Sequence, residues 1–225
     1  MATTTTDQRR YEFVLPPGWF RFDMRRPLDP QISRYVDALV EGRELGDKRA
    51  LVKANLRSAI GNQLAEAEGQ EALDLVLPTL QSTGVVSTAS FAVFPLKLPD
   101  ESDPVEFIAA IASRDTSATL VEVEDLVALR TEAKKPADFG DPQQAIDAMI
   151  NELGVADSIT ERPQAADTTF SSHRVVYFIG HPERSEGWVI FAFSVIEQDN
   201  DEFRELSDLL IELFDQIMLT VRFNG

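Results

Sequence analysis

His173 and His181 are the chain's only histidines, and they are the first residues to test for chemistry. A metal site needs three or four ligands converging at about 2.0–2.3 Å. If the chain runs extended between the two histidines, residues rising about 3.3 Å each hold the rings about 26 Å apart. They then share no metal, and His181-Pro182-Glu183 offers two ligands where more are needed. There is no cysteine, which removes disulfides, thiolate metal sites and a cysteine nucleophile together. Neither a Gly-x-Gly-x-x-Gly loop nor a Walker pattern is present to cradle phosphate, and no Gly-x-Ser-x-Gly elbow presents a serine. Spacing alone does not settle a serine–histidine pair, because triads assemble in space. The best carboxylate cluster, Glu122, Glu124 and Asp125, stands near a strand end and reads as a solvated face and turn. No catalytic residue, cofactor or metal site is expected.

The clearest polar regularity is cationic. Arg49, Lys53 and Arg57 recur every four residues, which places them on one helix face about 6 Å apart per step. The stripe is either a solvated face or an electrostatic docking face for an acidic partner or a neighbouring subunit. Charge is segregated along the chain. Residues 1–57 hold 11 Lys/Arg against 8 Asp/Glu; residues 58–225 hold 10 against 30, and the whole carries −17. Such a surface keeps a protein in solution and repels nucleic acid and anionic lipid, so neither is an expected partner.

The elements that would position these residues follow from periodicity. A strand is expected at Tyr11–Leu15, with Tyr11, Phe13 and Leu15 on one face, then a break at Pro16-Pro17-Gly18. Trp19–Met24 reads as a second extended piece, with Phe20, Phe22 and Met24 together. Asp29-Pro30, Asp103-Pro104 and Asp141-Pro142 each read as an N-cap carboxylate before a proline at the first helical position. A longer helix is expected from Asp47 to about Glu68, with Val52, Leu56, Ile60 and Leu64 on its apolar face. Strands are expected around Leu73–Leu77, at Val85–Leu96, and as two short pieces within 117–132. Lys134–Phe139 and Ile159–Asp167 read as loops. Thr168–Ile179 and Trp188–Ile196 read as a hairpin. The run Trp188-Val189-Ile190-Phe191-Ala192-Phe193 is apolar on both faces, which predicts a central strand covered on both sides. A last helix, Asp201–Gln216, should bury Phe203, Leu206, Leu210, Leu213 and Phe214, before a strand at Met218–Phe223.

Adjacent strands with short links predict an α+β fold, mainly an antiparallel sheet flanked by helices. Residues 1–10 read as a disordered tail and 11–225 as a single domain. No signal-peptide pattern and no apolar run of about 18 residues is present, so a cytoplasmic protein without membrane insertion is expected.

The opening Leu15-Pro16-Pro17-Gly18-Trp19, the late Trp188–Phe193 strand, and the terminal Leu209–Met218 helix leading to Val221-Arg222-Phe223 resemble an uncharacterised actinobacterial family that begins Leu-Pro-Pro-Gly-Trp. More distantly, the order of features is similar to the PsbP-like α/β/α sandwich, with a helical insertion near the N-terminus at about Asp29–Gln70. That fold's usual work is protein binding, including chaperones of secreted effectors, so the resemblance implies a non-catalytic protein-binding module. An adaptor or chaperone linked to secretion is one form of it, and its partner would be another protein. Two alternatives stay open. A structural, self-associating subunit predicts a broad apolar patch and a homo-oligomer. An enzyme of unrecognised type predicts a deep pocket with clustered carboxylates or His173.

Overall fold

The computed structural model describes residues 11–79, 89–97, 103–123, 126–136, 170–180, 187–198 and 201–223. Strand β1 (Tyr11–Glu12) pairs only with β9 (Arg222–Phe223), so the two ends of the fold are tied together. The expected Tyr11–Leu15 strand is therefore cut to its first two residues, though its face survives: Tyr11 is buried, and Phe13 and Leu15 pack beside it. The break is the one Gly18 makes, at φ 89°, where a side chain would be strained. β2 (Trp19–Asp23), β3 (Asp74–Pro78), β4 (Ser90–Pro95), β5 (Thr119–Val123), β6 (Leu126–Pro136), β7 (Phe170–Gly180) and β8 (Val189–Gln198) form one sheet. Its order is β2-β3-β4-β8-β7-β6-β5, and every pairing is antiparallel. The fold is α+β.

Alternation along these strands feeds a layer on each face. Val76, Phe91, Val93, Val175, Tyr177, Phe191 and Phe193 point to one side, where α4 (Asp201–Met218) packs with Ile211, Phe214 and Met218. Phe22, Leu75 and Leu77 point to the other side, beneath α1 (Leu28–Val40) and α2 (Arg49–Gly69). Further along that face, Leu129 and Trp188 meet Ile108 of α3 (Pro104–Ala112). β8 is the fourth of the seven strands, as expected for a central position. Its two faces are not equally covered: Phe191, Phe193 and Val195 are buried under α4, whereas Ile190, Ala192, Ser194 and Ile196 are half-buried.

The helix signals divide by position. Asp103 is an N-cap: its carboxylate accepts from the Val105 N–H at 2.8 Å, and Pro104 follows at the first helical position. Asp29 is not. α1 starts two residues earlier, Pro27 takes the cap position, and Asp29 lies in the first turn, where its charge still meets the helix dipole. What anchors that end is Gln31, which accepts from the Asp23 N–H and donates to the carbonyls of Asp23 and Pro27. The Asp141-Pro142 helix lies outside the described residues. A short 3₁₀ turn (Gly46–Lys48) precedes α2, within two residues of the expected start.

Three further expectations shift. Lys134, Lys135 and Pro136 continue β6 because β7 supplies partners: Lys134 faces His173, Lys135 faces Ser172 and Pro136 faces Ser171. On its other side β6 has outrun β5, so Pro136 breaks no ladder there. The buried seam of α4 is Ser207, Ile211, Phe214, Ile217 and Met218, rotated from the expected one; Phe203, Leu206, Leu210 and Leu213 flank it, half-buried. Met218 ends α4 and is not strand, so the closing strand shortens to Arg222–Phe223.

Candidate functional site

The basic stripe stands where helical spacing puts it, on the N-terminal half of α2 against α1. Arg49 and Arg57 are exposed and Lys53 is half-buried. The stripe is not free of its own acids. Lys53 Nζ meets Asp37 Oδ1 of α1 at 2.7 Å, and Arg49 donates to the Val40 carbonyl at the C-terminal end of α1. The Asp37 carboxyl is held below its ordinary range, first by the Lys53 hydrogen bond and then by the charges of Lys53, Arg57 and Arg49. One carboxylate thus serves three cations. Arg57 makes no ion pair with any described residue, and neither does exposed Arg34, one turn before Asp37 on α1.

A second polar group lies under α4 and is not foreseen from the sequence. Period-two alternation puts Arg130 and Glu132 of β6 and His173 and Tyr177 of β7 on the α4 side of the sheet. Arg130 donates to Asp215 of α4 at 3.0 Å and to Glu132 at 2.7 Å. Tyr177 Oη donates to the same Asp215 oxygen at 2.7 Å, and His173 Nε2 sits 2.7 Å from Glu132 Oε1. Burial alone would raise the Glu132 carboxyl, but hydrogen bonds from Arg130 and His173 outweigh it and hold it below the usual range. Burial, reinforced by Asp215, pushes the Tyr177 hydroxyl well up, so it remains a donor. The row continues at Glu197, only 2% exposed, which accepts from Ser171 at 2.9 Å and pairs with Lys134. Its signal in the sequence is the charge alternation Arg130-x-Glu132-x-Lys134, legible only once 126–136 is known to be a single strand.

A third buried charge joins the N-terminal segment to the sheet. Asp74 is fully buried, accepts twice from Arg21 at 2.6 and 2.8 Å, and takes the Tyr11 hydroxyl. The Arg21 guanidinium also lies over the Phe13 ring at 4.2 Å.

Against this geometry the chemical options narrow. His173 and Glu132 make a base–carboxylate pair, but His173 is 8% exposed, and its buried Nδ1 has no hydrogen-bond partner among the described residues. Neither residue lines the cavity between α2 and strands β3 and β4. No cluster of three or more His, Asp or Glu suited to a metal occurs among them either. His181, Glu124 and Asp125 lie outside them, and Glu122 is exposed on β5. A cavity of about 420 Å³ sits elsewhere, between α2 and strands β3 and β4, with Leu39, Ile60, Leu75 and Leu77 as its floor and Gln63, Glu66 and Gln70 on its rim. No helix among the described residues is long and apolar enough to cross a membrane. No family model, no curated protein and no solved structure matches the chain.

Proposed function

We propose that this chain is a non-catalytic protein-binding module that docks an acidic partner on the first half of α2. One observation carries the reading. α2 is 21 residues long, yet its only buried side chains are Ile60 and Leu64, both in its second half. A helix in water draws most of its stability from a packed apolar face. The first half instead presents Arg49, Arg57 and an uncovered Leu51, 53% exposed. Leu51 stands on the other side of the helix from the cations, and it is the exposed Arg49 and Arg57 that offer an acidic partner an electrostatic docking face. The resemblance to the PsbP-like sandwich, whose members bind proteins, points the same way, and an adaptor or secretion chaperone acting in the cytoplasm is its most specific form.

The test is co-purification of the full chain with its partner, wild type against Arg49→Glu/Arg57→Glu. That pair leaves the Lys53–Asp37 bridge in place. Loss of the same identified partner, with an unchanged melting temperature, supports the reading. Equal recovery overturns it.

A further inference from the structure

We infer that the cavity beneath the second half of α2 is a binding site for a small apolar amine. The cavity measures about 420 Å³, within the range of small-molecule sites. Its floor is an incompletely filled core. Leu39, Leu75 and Leu77 each keep 8% of their surface exposed and Ile60 keeps 9%, whereas Val76, Phe91 and Val93, which β3 and β4 turn towards α4, keep 0%, 1% and 0%. Phe22 and Leu64, in the same cluster as the floor, are fully buried, so the void is local to the cavity. An apolar wall facing a void forfeits the dispersion contacts of a filled core, and an apolar guest restores them. The Tyr35 ring lines the cavity as well, but its hydroxyl proton is already given to the Pro78 carbonyl, at 2.9 Å.

The rim sets the head group. Gln63, Glu66 and Gln70 follow one another at steps of three and four, which lines them up along one face of α2. All three are exposed, and Glu66 is the only charged residue among the described residues of the lining. An ammonium head has three donors, matched here by the Glu66 carboxylate and the side-chain carbonyls of the two glutamines. A carboxylate or phosphate head instead meets Glu66 at like charge, on a chain that carries −17. Floor and rim together select an apolar body with a cationic head. The site uses the half of α2 that Arg49 and Arg57 do not, so it stands apart from the proposed docking face.

The experiment titrates the full chain with three probes that share a ring and differ in the head: naphthylmethylamine, naphthylmethanol and naphthoate, followed by calorimetry. The amine should bind saturably, one per chain, and raise the melting temperature. It should bind about two- to fivefold more tightly than the alcohol, the scale of an exposed ion pair, and naphthoate should bind most weakly. Glu66→Gln should bring amine and alcohol to equal affinity while the alcohol binds as before. Ala92→Leu fills the cavity from β4 and should abolish binding of both, with a melting temperature no lower than wild type. Ala67→Leu fills it from α2 and serves the same purpose should Ala92→Leu lower the melting temperature. Failure of the amine to saturate overturns the inference, as does tighter binding of naphthoate. An amine that binds equally well to the filled cavity overturns it too, because the probe then sits elsewhere. A preference for the amine that survives Glu66→Gln overturns the assignment of the head group to the α2 rim.

Discussion

Gly180 ends β7 where the Trp188 ring lies against the backbone: a Cβ built there would stand 2.4 Å from two ring carbons. Gly180→Ala must push Trp188 out of its place beside Ile108 and Leu129, at about 1–3 kcal/mol. Urea unfolding measures it, and an unchanged midpoint would mean that the ring yields freely. Asp74 shows the other way a single side chain can govern its surroundings. With it gone, Arg21 loses both hydrogen bonds and buried Tyr11 loses its acceptor. Asp74→Ala should cost about 3–5 kcal/mol, whereas Tyr11→Phe, which leaves Arg21 on Asp74, should cost about 1 kcal/mol. Comparable losses would contradict the central role of the carboxylate. Glu132 sets a pH dependence. Its folded-state pKa is lowered, so the stability it adds is fully present above the unfolded value of about 4.3. That stability is lost as pH falls through the folded value. Relative to Glu132→Gln, wild type should therefore be favoured at neutral pH and lose that margin below about pH 4. A difference that grows on acidification would reverse the assignment. None of these roles was visible in the sequence. Asp74 reads as the outward member of an alternating strand, and only the Tyr11–Phe13 segment laid across it turns that face into an interior.

At the scale of elements, the legible parts were those with a local physical cause. The Asp103-Pro104 cap, the apolar period of α2 and the continuous apolar run at 188–193 each became the element their chemistry calls for. The misread parts were decided by neighbours. Lys134–Pro136 has poor strand chemistry, but the long β7 ladder recruits it. Phe13–Leu15 has good strand chemistry, but β9 is two residues long and offers no further rungs. The α4 seam rotates because Ser207, a polar residue no apolar pattern would select, takes a buried position. The strand most firmly read yields the sharpest test. Phe191 is fully buried in β8, between the Tyr11 and Phe13 rings at 5.6 and 5.8 Å. Phe191→Asp would leave an unpaired carboxylate in this aromatic cluster and should cost several kcal/mol, enough to unfold a domain of ordinary stability. A variant that melts like wild type would remove β8 from the centre of the fold.

For the molecule as a whole, composition anticipated the charge segregation but not where it falls in space. The cationic stretch lands on α1 and α2 over one sheet face, and the acidic stripe of α4 lands over the other. The sheet between them must transmit any cooperativity, because each helical layer packs on it and the two layers share its strands. Val76 serves one face of β3 while Leu75 and Leu77 serve the other, so neither cluster can melt without exposing the other's strand. The chain's two tryptophans report on opposite sides. Trp19 packs with Phe91 in the α4-side core, and Trp188 is buried with Ile108 and Leu129 on the α3 side. If residues 11–225 are one domain, Trp19→Phe and Trp188→Phe each leave a single reporter, and each variant should lose fluorescence and far-ultraviolet ellipticity together in one transition. The two variants will differ in midpoint, since replacing a buried indole costs more than replacing a half-buried one. Within either variant, coincidence of the two signals is the criterion. A fluorescence transition that precedes the ellipticity change in the Trp19→Phe protein would mean that the α3 side opens as a unit of its own.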